Sequence, residues 1–234
     1  MDKKLEELSV FFPFYNEEKN IRPQTEAALK IIPRFAKKYE IILVNDGSAD
    51  RTGKIAEKLA KEHPQVRVVN HRRNRGYGGA LKSGFKASRY SWVFFTDGDR
   101  QFDLKQLKKL IAKADQADII IGYRKKRADP FIRLLNAKLF NLLIRLLFGL
   151  KVRDIDCAFK LIKKEVLKKI TLKSDGALIS SEFLIKAQKQ KFKIKEVPVD
   201  HFPRRAGQPT GADPKVIFKA FYDLFRLFKE LRKD

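Results

Sequence analysis

The sequence predicts an α/β protein built on a mostly parallel central sheet flanked by helices. Three observations lead there. Short apolar runs alternate with charged stretches of helical length through the first half of the chain, the pattern of strands joined by helical crossovers. The apolar runs are nearly continuous, as in strands covered on both faces. Polar motifs follow three of them at the carboxyl end, where sheets of this kind bind ligands.

The predicted strands of the first half are Ser9–Phe14, Glu40–Asn45, Val66–Asn70, Trp92–Thr96 and Asp118–Gly122. Helical stretches Glu18–Lys37, Thr52–Glu62, Gly78–Arg89 and Leu104–Ala114 lie between them. The second half reads differently. Phe131–Leu150 is a helix, apolar over most of its circumference, with Lys138, Asn141 and Arg145 in one narrow polar stripe. Ser180–Gln190 is a further helix and Phe192–Val199 a strand. Pro214–Lys233 is an amphipathic final helix with Phe218, Phe221, Phe225 and Phe228 along one side. With no internal repeat and no Pro-, Gly- or Ser-rich linker, residues 1–234 are expected to form one domain.

Composition narrows the function. The 234 residues carry 52 Lys and Arg against 28 Asp and Glu, a net charge of +24, and 44% are apolar, too many for a disordered tail. The charge calls for a polyanion: nucleic acid, an anionic membrane surface or a phosphorylated ligand. The lone Cys157 excludes an internal disulfide and fits a reducing compartment. The apolar stretch Val10–Tyr15 is too short and too polar at its end for a signal peptide. Arg133, Lys138 and Arg145 interrupt the longest apolar stretch, so no membrane span is expected. The expected location is the cytoplasm, peripheral on the inner face of the membrane.

Four motifs carry chemistry. In Thr96-Asp97-Gly98-Asp99-Arg100-Gln101, two carboxylates flank a glycine at a strand end and Gln101 adds a neutral oxygen. Mg²⁺ or Mn²⁺ takes such oxygen ligands, completed by phosphate and water; an Asp-Gly pair serves a plain turn equally well. In Asn45-Asp46-Gly47-Ser48-Ala49-Asp50-Arg51-Thr52, Asp50 or Thr52 suits a helix cap, while Asp46 at the strand tip is freer to accept hydrogen bonds from a ligand. In Pro13-Phe14-Tyr15-Asn16-Glu17-Glu18, Tyr15 can stack on a nucleobase and Glu17 can accept from base or ribose, or serve as a helix-start carboxylate. The glycine-rich Asn74-Arg75-Gly76-Tyr77-Gly78-Gly79-Ala80-Leu81 suits close approach to a phosphate, but Leu81 replaces the third glycine of a dinucleotide fingerprint.

Taken in order, Pro13-x-Tyr15-Asn16-Glu17, Asp46-Gly47-Ser48-x-Asp50-x-Thr52, Asn74-x-Gly76, Asp97-x-Asp99-x-Gln101 and Gly122-x-Arg124 resemble the motif set of family 2 glycosyltransferases of GT-A fold. Asp154-Ile155-Asp156-Cys157-Ala158-Phe159-Lys160-Leu161 and Glu196-Val197-Pro198-Val199, followed by Arg204 and Gly207, resemble the polyprenyl- and dolichyl-phosphate sugar transferase branch. The chain departs from that branch at Asp156-Cys157, at Lys160, where Arg is usual, and at Thr210, where Lys is typical.

The resemblance implies inverting, metal-dependent transfer of a hexose from a nucleoside diphosphate sugar, of GDP-mannose or UDP-glucose type, to a polyprenyl phosphate. Residues 1–125 would bind the donor, and 126–234 would face the acceptor and the membrane. Pro13, Tyr15, Glu17, Val44 and Asp46 would hold the nucleoside. Asp97, Gly98, Asp99 and Gln101 would hold the metal and the diphosphate. Arg124 and Arg204 would neutralise phosphate charge. Asp99, Arg124, Lys160 and Arg204 are the expected catalytic set, with Arg124 and Lys160 orienting the attacking phosphate. A lipid phosphate is already ionised, so positioning and electrostatics would replace a general base.

The Phe131–Leu150 helix and the final helix are expected at the membrane interface. There Arg72-Arg73-Asn74-Arg75, Arg124-Lys125-Lys126-Arg127 and Arg204-Arg205 would attract anionic lipid. A second copy of the chain or a separate anchor subunit is a further partner compatible with this reading, and nucleic acid is not one. Two other readings predict different behaviour. Transfer to a sugar hydroxyl needs a carboxylate base, for which Glu182 is the candidate. A nucleic-acid-binding protein would use the charge but has no use for carboxylates clustered at strand ends.

Overall fold

The computed structural model describes residues 3–125, 131–204 (131–138 as backbone) and 223–229. Along the chain run β1 (Leu5–Phe14), α1 (Ile21–Ile31), β2 (Ala36–Asn45), α2 (Thr52–Glu62), β3 (Val66–Asn70), α3 (Gly76–Ala87), β4 (Trp92–Thr96), α4 (Leu107–Ile111) and β5 (Ile119–Arg124). They are followed by α5 (Phe131–Phe148), β6 (Phe159–Lys163), α6 (Lys164–Lys169), α7 (Ile179–Lys189) and β7 (Ile194–Val199), and residues 223–229 are helical.

Among the described residues seven strands form one sheet in the order β3-β2-β1-β4-β6-β5-β7. The register is parallel from Leu5↔Ala36 to Phe14↔Asn45 between β1 and β2, and parallel again where β1 meets β4 and β2 meets β3. β6 alone runs antiparallel, wedged between β4 and β5, and β7 closes the edge parallel to β5. The carboxyl ends of β2, β1 and β4 therefore lie side by side.

Alternating residues of β1 feed two core layers. Leu8, Val10, Phe12 and Phe14 meet α1, α2 and α4 on one face; Phe11 meets α3 on the other. There the Phe11 ring stacks on Phe95 at 5.3 Å and meets the edge of Phe85 at 5.2 Å. A Cβ on Gly84 would lie 2.3 Å from the Phe11 ring, so only glycine lets α3 settle this closely on the sheet.

The predicted first helix, Glu18–Lys37, is shorter in the structure. Pro33 lacks the N–H that would continue it, and a 3-10 turn over Ile32–Arg34 ends with Phe35 N donating to Ile32 O at 2.8 Å. Residues from Ala36 onward then join β2. The α5 helix is apolar on two sides. Ile144 is buried in the second core layer, while Leu139, Leu142 and Leu146 stay exposed at 54%, 49% and 74%. In the final segment Leu224 and Leu227 are buried, Phe225 is exposed, and Phe228 meets Phe148 edge-on. Phe218 and Phe221 lie outside the described residues. Among the described residues no helix is long and apolar enough to cross a membrane.

Candidate active site

The loops after β1, β2 and β4 meet at one edge of the sheet. The loop after β1 turns at Asn16, at φ 54°, and locks to the loop after β2: Asn16 N donates to Ser48 Oγ and Ala49 N to Asn16 Oδ1. Glu17 N donates to Thr52 Oγ1, and Glu18 N to Asp50 Oδ2. Ser48, Asp50 and Thr52 thus brace two loops against each other. Tyr15 is left 43% exposed at the mouth, free to stack on a planar ligand. Pro13 and Val44 are register partners, and Val44, paired on its other side with Val69, is fully buried and offers a ligand no surface as placed.

Each predicted carboxylate already has partners. Glu17 is buried; it accepts from Asn20 Nδ2 at 2.5 Å and pairs with the Arg204 guanidinium. Asp46 is buried as well. Its Oδ1 accepts from Arg75 N at 2.9 Å and sits 2.5 Å from His71 Nδ1, while His71 Nε2 reaches Ser83 Oγ at 2.8 Å. Asp46 is therefore a held carboxylate rather than a free one. Its partner His71, which its polar sequence context gives no functional role, lies 25 residues away, too far for local pattern to reveal.

The Asp97-Gly98-Asp99 turn rests on the Phe14 ring. A Cβ on Gly98 would come within 2.2 Å of that ring, which explains the glycine between the carboxylates. Half-buried Asp97 accepts from the Tyr77 hydroxyl at 3.0 Å. Asp99 accepts from Gln101 N at 3.1 Å and lies 3.8 Å from Arg204 Nη1. Burial, and then the Asp99 charge, push the Asp97 carboxyl up to about 7, against the pull of Tyr77, Lys160 and Arg124. A divalent cation between the two carboxylates would offset this crowding. Among the described residues no cluster of three or more His, Cys, Asp or Glu could hold a metal. The protein would give a carboxylate pair and leave the other positions to phosphate and water, which suits Mg²⁺ or Mn²⁺.

A strap over residues 200–204 crosses this edge. Gln106 and Asp200 exchange two hydrogen bonds, with Gln106 Nε2 donating to Asp200 O and Asp200 N to Gln106 Oε1. Phe202 N donates to Gln101 O, and Gln101 Nε2 returns a bond of 3.0 Å to Phe202 O. The strap delivers Arg204 between Glu17 and Asp99. Gly207 and Thr210 lie outside the described residues.

The other predicted phosphate ligands sit deeper. Arg124 and Asp154 form a bidentate pair, both bonds 2.7 Å, with each side chain 8% exposed. Lys160 is 1% exposed, donates to the carbonyls of Ile155 and Cys157 and lies 5.5 Å from the Phe95 ring centre. Burial pushes the Cys157 thiol up to about 12, which leaves it a packing residue. Glu182, the candidate base for a hydroxyl acceptor, is buried and accepts from Lys173 N, Ser174 N and Lys186 Nζ. It braces a loop. The glycine-rich segment approaches backbone closely, as its composition suggests, but the partner is the chain itself: Gly78 N donates to Asp175 O at 2.8 Å.

This strand order, with paired carboxylates at the end of β4, defines the GT-A fold. Glucosyl-3-phosphoglycerate synthase from Mycobacterium tuberculosis, in complex with Mn²⁺, UDP and glucosyl-3-phosphoglycerate, matches at a TM-score of 0.75 and 19% identity over 96% of this chain and 80% of that one. Its complex with Mg²⁺ and UDP matches at 0.73. At this identity the likeness is one of fold. The family model for glycosyl transferase family 2 matches residues 9–171, and the chain belongs to that family.

Named relatives include the dodecaprenyl-phosphate galacturonate synthase of Rhizobium johnstonii, 31% identical over 71% of this chain and 50% of its own length. The dolichyl-phosphate beta-glucosyltransferase of Dictyostelium discoideum is 31% identical over 82% of this chain and 65% of its own length. The undecaprenyl-phosphate 4-deoxy-4-formamido-L-arabinose transferase of Edwardsiella ictaluri is 30% identical over 95% and 68%. The chain thus spans half of the first relative and just under two thirds of the second.

Proposed function

We propose that the chain transfers a hexose, with inversion, from a nucleoside diphosphate sugar to a polyprenyl phosphate at the cytoplasmic face of a membrane. The observation that carries this reading is the meeting of Tyr15, Glu17, Asp46, Asp97, Asp99 and Arg204 at three adjacent strand ends. The names of the relatives, each a polyprenyl- or dolichyl-phosphate sugar transferase or synthase, support the acceptor class. The family and the carboxylate cluster favour an enzyme over a nucleic-acid binder, which would meet repulsion there.

In this reading Tyr15 stacks on the base and Glu17 receives hydrogen bonds from the nucleoside, after Arg204 has turned from Glu17 toward the diphosphate. Asp97 and Asp99, with Gln101 beside them, would hold Mg²⁺ or Mn²⁺, which would supply positive charge beside the diphosphate. The acceptor phosphate is ionised and needs no base, consistent with Glu182 being fully engaged elsewhere. Arg124 would have to leave its pair with Asp154 to reach the attacking oxygen. Lys160, too buried to touch a ligand as placed, holds the 155–157 loop beneath Asp97. The exposed Leu139, Leu142 and Leu146, three and four residues apart, would enter the interface, and the basic clusters would meet anionic headgroups.

The test is a donor screen with GDP-mannose and UDP-glucose, Mg²⁺ or Mn²⁺, and a short polyprenyl phosphate. A lipid-linked sugar made by the wild type and not by Asp99→Ala is the expected result. Equal transfer to a free sugar hydroxyl would count against the phosphate acceptor.

A further inference from the structure

We propose that Tyr77 is the positioning residue of the metal site, and that the glycine-rich start of α3 serves to hold its hydroxyl on Asp97. This rests on the metal-dependent reading above and assigns a role to a segment that reading leaves unused. The phenol oxygen lies 3.0 Å from Asp97 Oδ1 and donates to it. Tyr77 stands 20 residues before Asp97, on a different element, so its own backbone must be fixed for the bond to act.

The glycines on either side fix it. Gly76 adopts φ +78°, and a Cβ there would lie 2.6 Å from Asp175 O. At Gly78 a Cβ would meet Ser174 O at 2.5 Å and the Asp175 backbone at 2.7 Å, and Gly78 N donates to Asp175 O. The 174–175 backbone is in turn anchored where Glu182 accepts from Ser174 N and where Lys82 Nζ pairs with Asp175. Tyr77 is thus clamped between two glycines that press on a braced loop. The hydroxyl restricts rotation of the Asp97 carboxylate and so keeps it aligned with Asp99. Metal-binding carboxylates depend on such outer hydrogen bonds.

Tyr77→Phe keeps the ring and removes only the donor. Calorimetric titration with Mn²⁺, in the presence of UDP or GDP, is expected to show affinity about 10-fold weaker than wild type, the lower end of such outer-bond effects. The melting temperature of the metal-free protein is expected to stay at the wild-type value. In an Asp97→Asn background, where Asp97 no longer acts as a charged ligand, Tyr77→Phe is expected to cause no further loss. Gly78→Ala, which pushes on the 174–175 backbone, is expected to weaken Mn²⁺ binding as well. Unchanged Mn²⁺ affinity in Tyr77→Phe, or an equal loss with and without Asp97, would overturn the positioning role alone. A wild type that binds no Mn²⁺ with either nucleotide would overturn the metal reading itself, and the role of Tyr77 with it.

Discussion

Asp154→Ala removes one half of the buried pair that holds Arg124. The two bonds are 2.7 Å each and both side chains are 8% exposed, so the guanidinium would be left charged, buried and without its main partner. Breaking a buried pair from one side costs about 3–5 kcal/mol, well above the value of a surface pair. For a chain of this size each kcal/mol lowers the melting temperature by about 2–4 °C, so a fall of roughly 6–20 °C is expected. Urea unfolding followed by circular dichroism gives the free energy directly, with the slope checked for two-state behaviour. Replacing both partners with apolar residues, Arg124→Met with Asp154→Leu, is expected to recover most of the stability, because no charge is then stranded. A loss below about 1 kcal/mol for Asp154→Ala would put the pair in the range of solvent-exposed ion pairs and exclude a stranded buried charge.

Two further outcomes follow from the geometry. Burial alone would raise the Glu182 carboxyl, but hydrogen bonds from Lys186, Lys173 N and Ser174 N outweigh it and hold the group below its ordinary value. A depressed carboxyl contributes stability above its unfolded value of about 4.3, and that contribution is lost as pH falls through the lower folded value. Melting curves recorded across this acid range should therefore show a steep decline in wild type and a flatter one in Glu182→Gln. Changing Leu139, Leu142 and Leu146 together to Ser should leave stability within about 0.5 kcal/mol per site, because all three are exposed. It should also reduce co-sedimentation with anionic vesicles, whereas unchanged sedimentation would remove α5 from the membrane surface.

The convergence of the strand-end motifs was legible in the sequence because parallel strands place their carboxyl ends together. Once Ser9–Phe14, Glu40–Asn45 and Trp92–Thr96 read as buried strands, the motifs after them had to converge. What stayed hidden depends on contacts between distant segments. β6 escapes pattern reading because Lys160 sits in the middle of a short apolar run, and only the fold shows that this lysine is buried against carbonyls. His71 and Tyr77 look like ordinary loop residues, yet each pins a strand-end carboxylate on another element. Glu182 looks like a first-turn helix acid with catalytic reach, and its three hydrogen bonds make it a loop brace. Arg204 could be placed by resemblance, but its bridge between Glu17 and Asp99 depends on the strap that Gln101 and Gln106 hold.

The proposed function stands or falls on whether Asp97 and Asp99 hold a divalent cation through which a nucleoside diphosphate sugar gives its hexose to a lipid phosphate. Lipid-linked sugar formation, followed with wild type and Asp99→Ala, with Mn²⁺ and with chelator, tests it most directly. Product is expected only from wild type with the metal present. Product that persists undiminished in Asp99→Ala or under chelation would rule out metal-dependent transfer through this carboxylate pair.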